Sequence, residues 1–120
     1  MTLSKGINLK PLKEDQIQIA LVQFLNMHPH ILFCHVANEG NFPVQYRVKL
    51  KRMGLYKGWF DITIILPKLC FIELKTKKGR LSEDQKDFKK KLDENNIPNT
   101  VAHSVEEAID FLKQIDVLRK

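Results

Sequence analysis

Ile17, Ala20, Leu21, Phe24 and Leu25 recur every three or four residues, the spacing of one helix face. That spacing predicts a helix from Leu12 to Met27, with Pro29 just beyond its end. The pattern then changes. Ile31 to Ala37 (ILFCHVA) is an apolar run of strand length and predicts a buried strand. Asn38-Glu39-Gly40-Asn41 has the composition of a loop. Pro43 opens a second, basic helix running to Met53 and closed by Gly54. Leu55 to Trp59 is a glycine-flanked turn region.

Two further apolar runs, Phe60–Leu66 and Leu69–Thr76, flank Pro67-Lys68 and predict a tight antiparallel hairpin. Gly79 breaks the pattern. Ser82 then suits an N-cap, with Glu83 and Asp84 in the first turn and Gln85 at the capping-box position. Phe88 and Leu92 continue the apolar side of that helix towards Asn95. Asn99 to His103 predicts a short strand, and Ser104 caps a last helix through Ala108, Ile109, Leu112 and Ile115. The predicted order is α-β-α-β-β-α-β-α. A helix between the Leu69 and Asn99 strands implies a right-handed crossover, so those two strands should run parallel. The expected fold is α/β, a mixed sheet flanked by helices, in a single domain over residues 12–120 behind a flexible tail of residues 1–11.

One hundred and twenty residues are enough for one hydrophobic core. No apolar run approaches the roughly 20 residues needed to span a membrane. The N-terminus, MTLSKGINLKPLKEDQ, lacks the apolar stretch of a secretory signal, and a cytoplasmic setting follows as the expectation. Cys34 and Cys70 are then expected to be reduced and buried. Neither belongs to a C-x-x-C pair, and His28, His30, His35 and His103 lack zinc-ligand spacing. No phosphate-binding glycine loop or dinucleotide fingerprint is present.

The net charge of +6 is unevenly placed. Residues 47–91 hold 14 Lys/Arg against 5 Asp/Glu, and the rest hold 6 against 9. The excess is local. It suits a polyanionic partner, nucleic acid above all, or else a solubilising lysine-rich surface.

The hairpin arms carry charge where a core strand should have none: Asp61 in the first, Glu73 and Lys75 in the second. Glu73 and Lys75 are two apart and share a strand face. Burying such ions costs several kcal/mol each unless they are paired or bind a metal. A hairpin can bring the two carboxylates together, and clustered carboxylates helped by backbone carbonyls suit Mg²⁺ or Mn²⁺. Lys75 could then reach a scissile phosphate or an attacking water. The alternative is a cross-strand ion pair with no further role.

Gly58-Trp59-Phe60-Asp61 followed by Phe71-Ile72-Glu73-Leu74-Lys75 resembles the PD-(D/E)xK nuclease superfamily. Thr76-Lys77-Lys78-Gly79-Arg80-Leu81-Ser82-Glu83-Asp84-Gln85, together with Asn38-Glu39-Gly40 and Ser104-Val105-Glu106-Glu107-Ala108, is similar to the virus-type replication-repair nuclease (VRR-NUC) family. The resemblance covers about residues 12–115. It implies a restriction-endonuclease-like sheet. It also implies that Asp61 and Glu73 are metal ligands with the Leu74 carbonyl as a third, that Lys75 is the catalytic lysine, and that Gln85 lies near the site. Gln85 also suits the capping box, and both roles can hold at once. Glu14 matches an acidic residue of the family's first helix that positions metal or water; it is equally the acid a helix N-terminus favours. Phe60 stands where the superfamily often has proline.

Around this site, Lys77, Lys78, Arg80 and Lys57, with Lys49, Lys51 and Arg52 of the second helix, are candidates for phosphate contacts, or are only solvated. Lys86, Lys89, Lys90 and Lys91 suit a solvated helix face. Tyr56 and Trp59 could stack on bases, although packing on the sheet suits Trp59 better. His35 fits a satisfied core histidine.

The function this implies is a Mg²⁺- or Mn²⁺-dependent, structure-selective DNA endonuclease resembling Holliday-junction resolvases. Its partners would be branched DNA, a second copy in a homodimer, and replication or repair proteins, with no membrane. The alternatives are a non-catalytic nucleic-acid-binding module and, more weakly, an interaction domain.

Overall fold

The computed structural model describes residues 12–37 and 42–118. The expected tail and the Asn38–Asn41 loop lie outside them. Eight elements follow the predicted order: α1 (Glu14–Asn26), β1 (Leu32–His35), α2 (Val44–Arg52), β2 (Ile62–Leu66), β3 (Cys70–Leu74), α3 (Glu83–Glu94), β4 (Asn99–Ala102) and α4 (Val105–Gln114).

The strands form one mixed sheet in the order β1-β2-β3-β4. β1 pairs antiparallel with β2, β2 antiparallel with β3, and β3 parallel with β4, as the crossover through α3 requires. Ile62 lies opposite Ile72, and the loop between the hairpin arms spans residues 67–69.

Alternation along the strands divides the core in two. Ile62, Ile64, Ile72 and Leu74 turn towards α1 and α4 and join Ile17, Leu21, Leu25, Ala108 and Leu112. Phe71 turns the other way and packs with Phe60, Phe88 and Leu92 under α3. Ser82 caps α3 as the sequence predicts: its hydroxyl accepts from Gln85 N, and Gln85 Oε1 accepts from Ser82 N at 2.9 Å.

Two expectations are corrected. β1 is not buried. It is an edge strand with Leu32 54 % exposed, and among the described residues no strand pairs with its outer side. Cys34 is therefore an exposed thiol, whereas Cys70 is buried and its pKa is pushed up to about 12 by desolvation. α2 buries no residue at all. Among the described residues no helix is long and apolar enough to cross a membrane.

Candidate metal centre

The hairpin arms part at the end of their ladder, and the site occupies the fork. Asp61 directly precedes β2, and Glu73 lies beside it in β3. Their carboxylates replace the ladder bonds that the diverging backbones give up. Glu73 Oε1 accepts the Asp61 N–H at 3.0 Å, and Asp61 Oδ2 accepts the Leu74 N–H at 2.9 Å. In a strand the N–H and C=O of one residue point to the same side. The Leu74 carbonyl is therefore turned to the same gap as its N–H.

Glu73 is fully buried, and an ion in such a place costs several kcal/mol unless it is held. It is held by three donors. Besides the Asp61 amide, Gln85 Nε2 donates to Oε2 at 2.8 Å, and the Lys75 ammonium lies 3.3 Å from the same oxygen. Lys75 is itself mostly buried, with 12 % of its side chain exposed. Burial first, then the neighbouring Asp61 charge, push the Glu73 carboxyl up to about 8, with Lys75 pulling the other way. Every buried side-chain nitrogen and oxygen among the described residues has a hydrogen-bond partner.

The third acid comes from α1. Glu14 is its first residue, half-buried, at the end where the helix dipole favours a negative charge. Oxygens of Glu14, Asp61 and Glu73 all lie within 4.8 Å of one another. An octahedral ion with bonds of about 2.1 Å separates its ligand oxygens by roughly 3 to 4 Å, so small side-chain movements would close this set on one cation. Three hard oxygen donors, two of them buried, with an amine alongside, fit Mg²⁺ or Mn²⁺ rather than a thiolate-seeking metal.

The fork opens into a cleft of about 470 Å³ lined by Lys13, Glu14, Gln18, His35, Trp59 and Asp61, among others. His35 Nδ1 lies 2.7 Å from the Asp61 carbonyl. A carbonyl only accepts, so Nδ1 carries the proton. Val36 N donates to the same oxygen at 3.2 Å. The end of β1 thus holds the Asp61 backbone from one side while β3 holds its carboxylate from the other.

The matched family and the solved structures agree. The VRR-NUC domain family matches residues 12–106. The chain belongs to the VRR-NUC domain family. Two solved structures share its fold. One, described as "VRR_NUC domain protein", has a TM-score of 0.74 at 22% identity and covers 91% of this chain and 93% of that one. The other, described as "VRR_NUC domain", has a TM-score of 0.58 at 17% identity over 84% of this chain and 94% of that one. No curated protein matches the chain.

In this VRR-NUC chain the structure brings Asp61, Glu73, Lys75, Gln85 and Glu14 into one place, together with the Leu74 backbone. The basic candidates lie on separate surfaces. Lys78 and Arg80 are exposed in the segment between β3 and α3. Lys77, from that segment, lines a groove with His103, Ser104 and Glu107 at the start of α4. Lys57 pairs with Asp84 at 3.5 Å, both exposed. Lys49, Lys51 and Arg52 stand on α2.

Lys86 and Lys90 pair with Glu83 and Glu94 on the solvent side of α3, as a solvated face would, whereas Lys89 is half-buried and reaches Asn99 of β4 at 2.8 Å as well as Asp93. Lys91 sits 5.4 Å over the Tyr56 ring. Trp59 packs on Phe71 and Phe88 and donates to Thr63 Oγ1 at 2.9 Å, a structural role.

Two residues of the site region, His35 and Gln18, escaped the sequence pattern, and a third, Gly58, was read only as part of the motif before Asp61. His35 is exposed rather than a core histidine, and only the β1–β2 register places it by Asp61. Gln18 follows Glu14 by one helical turn, a spacing that could have suggested it. Gly58, at φ +93°, lets its loop press on the first turn of α3 beside Gln85; a Cβ there would lie 2.3 Å from the Asp84 carbonyl oxygen.

Proposed function

We propose that this member of a nuclease-type family is a Mg²⁺- or Mn²⁺-dependent DNA endonuclease whose active site is the fork between β2 and β3. The single observation that carries this is the convergence of three carboxylates and the Lys75 amine at one point.

Asp61, Glu73 and Glu14, the last directly or through water, would hold the cation with the Leu74 carbonyl. When bound, the ion lowers the pKa of a coordinated water and offsets negative charge on phosphate oxygens. Lys75, fixed against Glu73 Oε2, would donate to a phosphate oxygen or orient the attacking water. Gln85 keeps Glu73 in its rotamer and ties the site to the start of α3. Lys77, Lys78, Arg80 and Lys57 would supply phosphate contacts beside the site, and Lys49, Lys51 and Arg52 contacts farther along the DNA.

The resemblance to small stand-alone nucleases supports branched DNA as substrate, a homodimer that presents two such forks to opposed strands, and replication or repair proteins as associates. The setting would be cytoplasmic, where unpaired thiols such as Cys34 and Cys70 would stay reduced. The test is cleavage of four-way, flap, nicked and linear DNA with and without Mg²⁺ or Mn²⁺. Divalent-dependent nicking of branched DNA, lost in Asp61→Asn, is the expected result. Salt-sensitive binding with no product under any condition would instead mark a non-catalytic binding module.

A further inference from the structure

A helix that buries nothing and carries only one sign of charge needs a partner to explain it. α2, Val44–Arg52, has no buried residue, and its nine positions include Arg47, Lys49, Lys51 and Arg52 with no acid. Those four cations are all exposed.

At about 100° per residue the helix has two different sides. Leu50 is its only half-covered residue and marks the side towards the body, with Tyr46 near it, packed at 5.1 Å on Phe42. The opposite side is centred on Val44 and Val48, 65 % and 54 % exposed. Arg47 and Lys51 fall on one flank of that strip, and Arg52 and Lys49 on the other. Gln45 lies between Arg52 and Lys49 on that second flank.

A narrow apolar strip between two rows of cations does not match an ordinary protein groove, which would leave both rows unpaired. It matches double-stranded DNA. The major groove is about 12 Å wide and takes a helix with its sides against the two phosphate backbones. Small apolar groups meet base edges there, where thymine methyls are presented. Nine residues rise about 13 Å, which spans about four base pairs.

From this, and resting on the reading of the chain as a DNA endonuclease, we infer that α2 is a major-groove docking helix. Its two basic flanks contact the two phosphate backbones, and Val44 and Val48 face the bases. It grips duplex DNA away from the bond being cut.

The experiment measures binding of a 20-base-pair duplex in EDTA by wild type and by the fourfold variant Arg47→Gln, Lys49→Gln, Lys51→Gln, Arg52→Gln. All four side chains are exposed, so circular dichroism and Tm should be unchanged. Each lost phosphate contact should lower the slope of log K against log salt by about 0.9, and the affinity should fall about 100-fold or more near 0.15 M salt. Filling the major groove with glucosylated hydroxymethylcytosine should weaken wild type about tenfold or more, while a minor-groove ligand such as netropsin should not compete. Wild-type affinity and slope in the fourfold variant, or indifference to glucosylation, would overturn the inference. So would a Val44→Ser/Val48→Ser variant that turns a larger species into monomer with DNA affinity intact, since the strip would then be a protein interface. A protein that cuts DNA but passes none of these binding tests removes α2 alone. One that binds through α2 yet never cuts removes the nuclease reading and leaves α2 standing.

Discussion

Asp61 and Glu73 hold each other's strands. Glu73 accepts the Asp61 amide, and Asp61 accepts the amide next to Glu73, so each carboxylate is positioned by the backbone that carries the other. Under the proposed function, metal binding and hairpin geometry would share the same two residues, and substitutions must separate the two roles.

Asp61→Asn separates them. Its side-chain carbonyl can still accept from Leu74 N, so the fold should survive with a Tm within a few degrees of wild type. The proposed metal ligand would be lost, however, and divalent-dependent cleavage should fall by about 10³-fold or more. Glu73→Ala should do worse on both counts, because it leaves Lys75 and Gln85 facing an empty buried site, at a cost of about 1–3 kcal/mol for each buried donor left unpaired. Paired cleavage assays and thermal melts check this. An Asp61→Asn protein cutting at full rate would end the nuclease assignment.

Lys75→Ala removes the amine beside Glu73 and should lower the cleavage rate by about 10²–10⁴-fold while leaving DNA binding in EDTA nearly unchanged. The opposite pattern, weak binding with a normal rate at saturating DNA, would make Lys75 a phosphate anchor and no more.

The pH dependence has a definite sign. The Glu73 carboxyl titrates near 8 in the folded chain against 4.5 ordinarily. Between those values the folded state holds a proton that the unfolded chain has released. Stability from this group therefore falls as pH rises from about 4.5 to about 8 and levels off above. Melts in EDTA across that range should show the decline, and Glu73→Gln should flatten it. A cation competes with that proton, so its affinity should climb with pH up to about 8, with about one proton released on binding near pH 7.

Much of this was legible in the chain because charge in an apolar strand is a strong signal. Asp61, Glu73 and Lys75 stand out against Ile62, Ile64, Ile72 and Leu74, and Ser82 with Gln85 marks the helix start whatever the tertiary fold. The misreadings share one physical cause. Whether an apolar run is buried depends on what lies over it, and ILFCHVA reads the same at a sheet's edge as at its centre. His35 was lost for the same reason. Its place beside Asp61 follows from the β1–β2 register, which shifts between Leu32 and Phe33 and is set by pairing, not by local sequence.

Gln85 carries two jobs at once, and its variants should split them. Gln85→Ala removes the capping bond to Ser82 N and the bond to Glu73, and should cost about 1–2 kcal/mol of stability together with activity. Gln85→Glu can still cap α3 but sets a second carboxylate against Glu73. It should melt closer to wild type than Gln85→Ala at low pH and lose stability faster as pH rises. Parallel pH curves for the two variants would show that the contact with Glu73 is incidental.

Gly54 and Gly58 provide a matched pair. Both sit at positive φ, +99° and +93°, so alanine is strained at either by about 1 kcal/mol. At Gly54 a Cβ meets nothing within 4 Å, and the backbone term should be the whole effect. At Gly58 it would strike the Asp84 carbonyl and approach Gln85 N at 2.8 Å, both backbone atoms at the start of α3. Relief requires the loop and the helix to separate, which adds about 1–3 kcal/mol and pulls Gln85 away from Glu73. Gly58→Ala should therefore lower Tm more than Gly54→Ala and reduce cleavage beyond its effect on stability. Equal Tm losses with equal activity would mean that the α3 contact plays no part in holding the site.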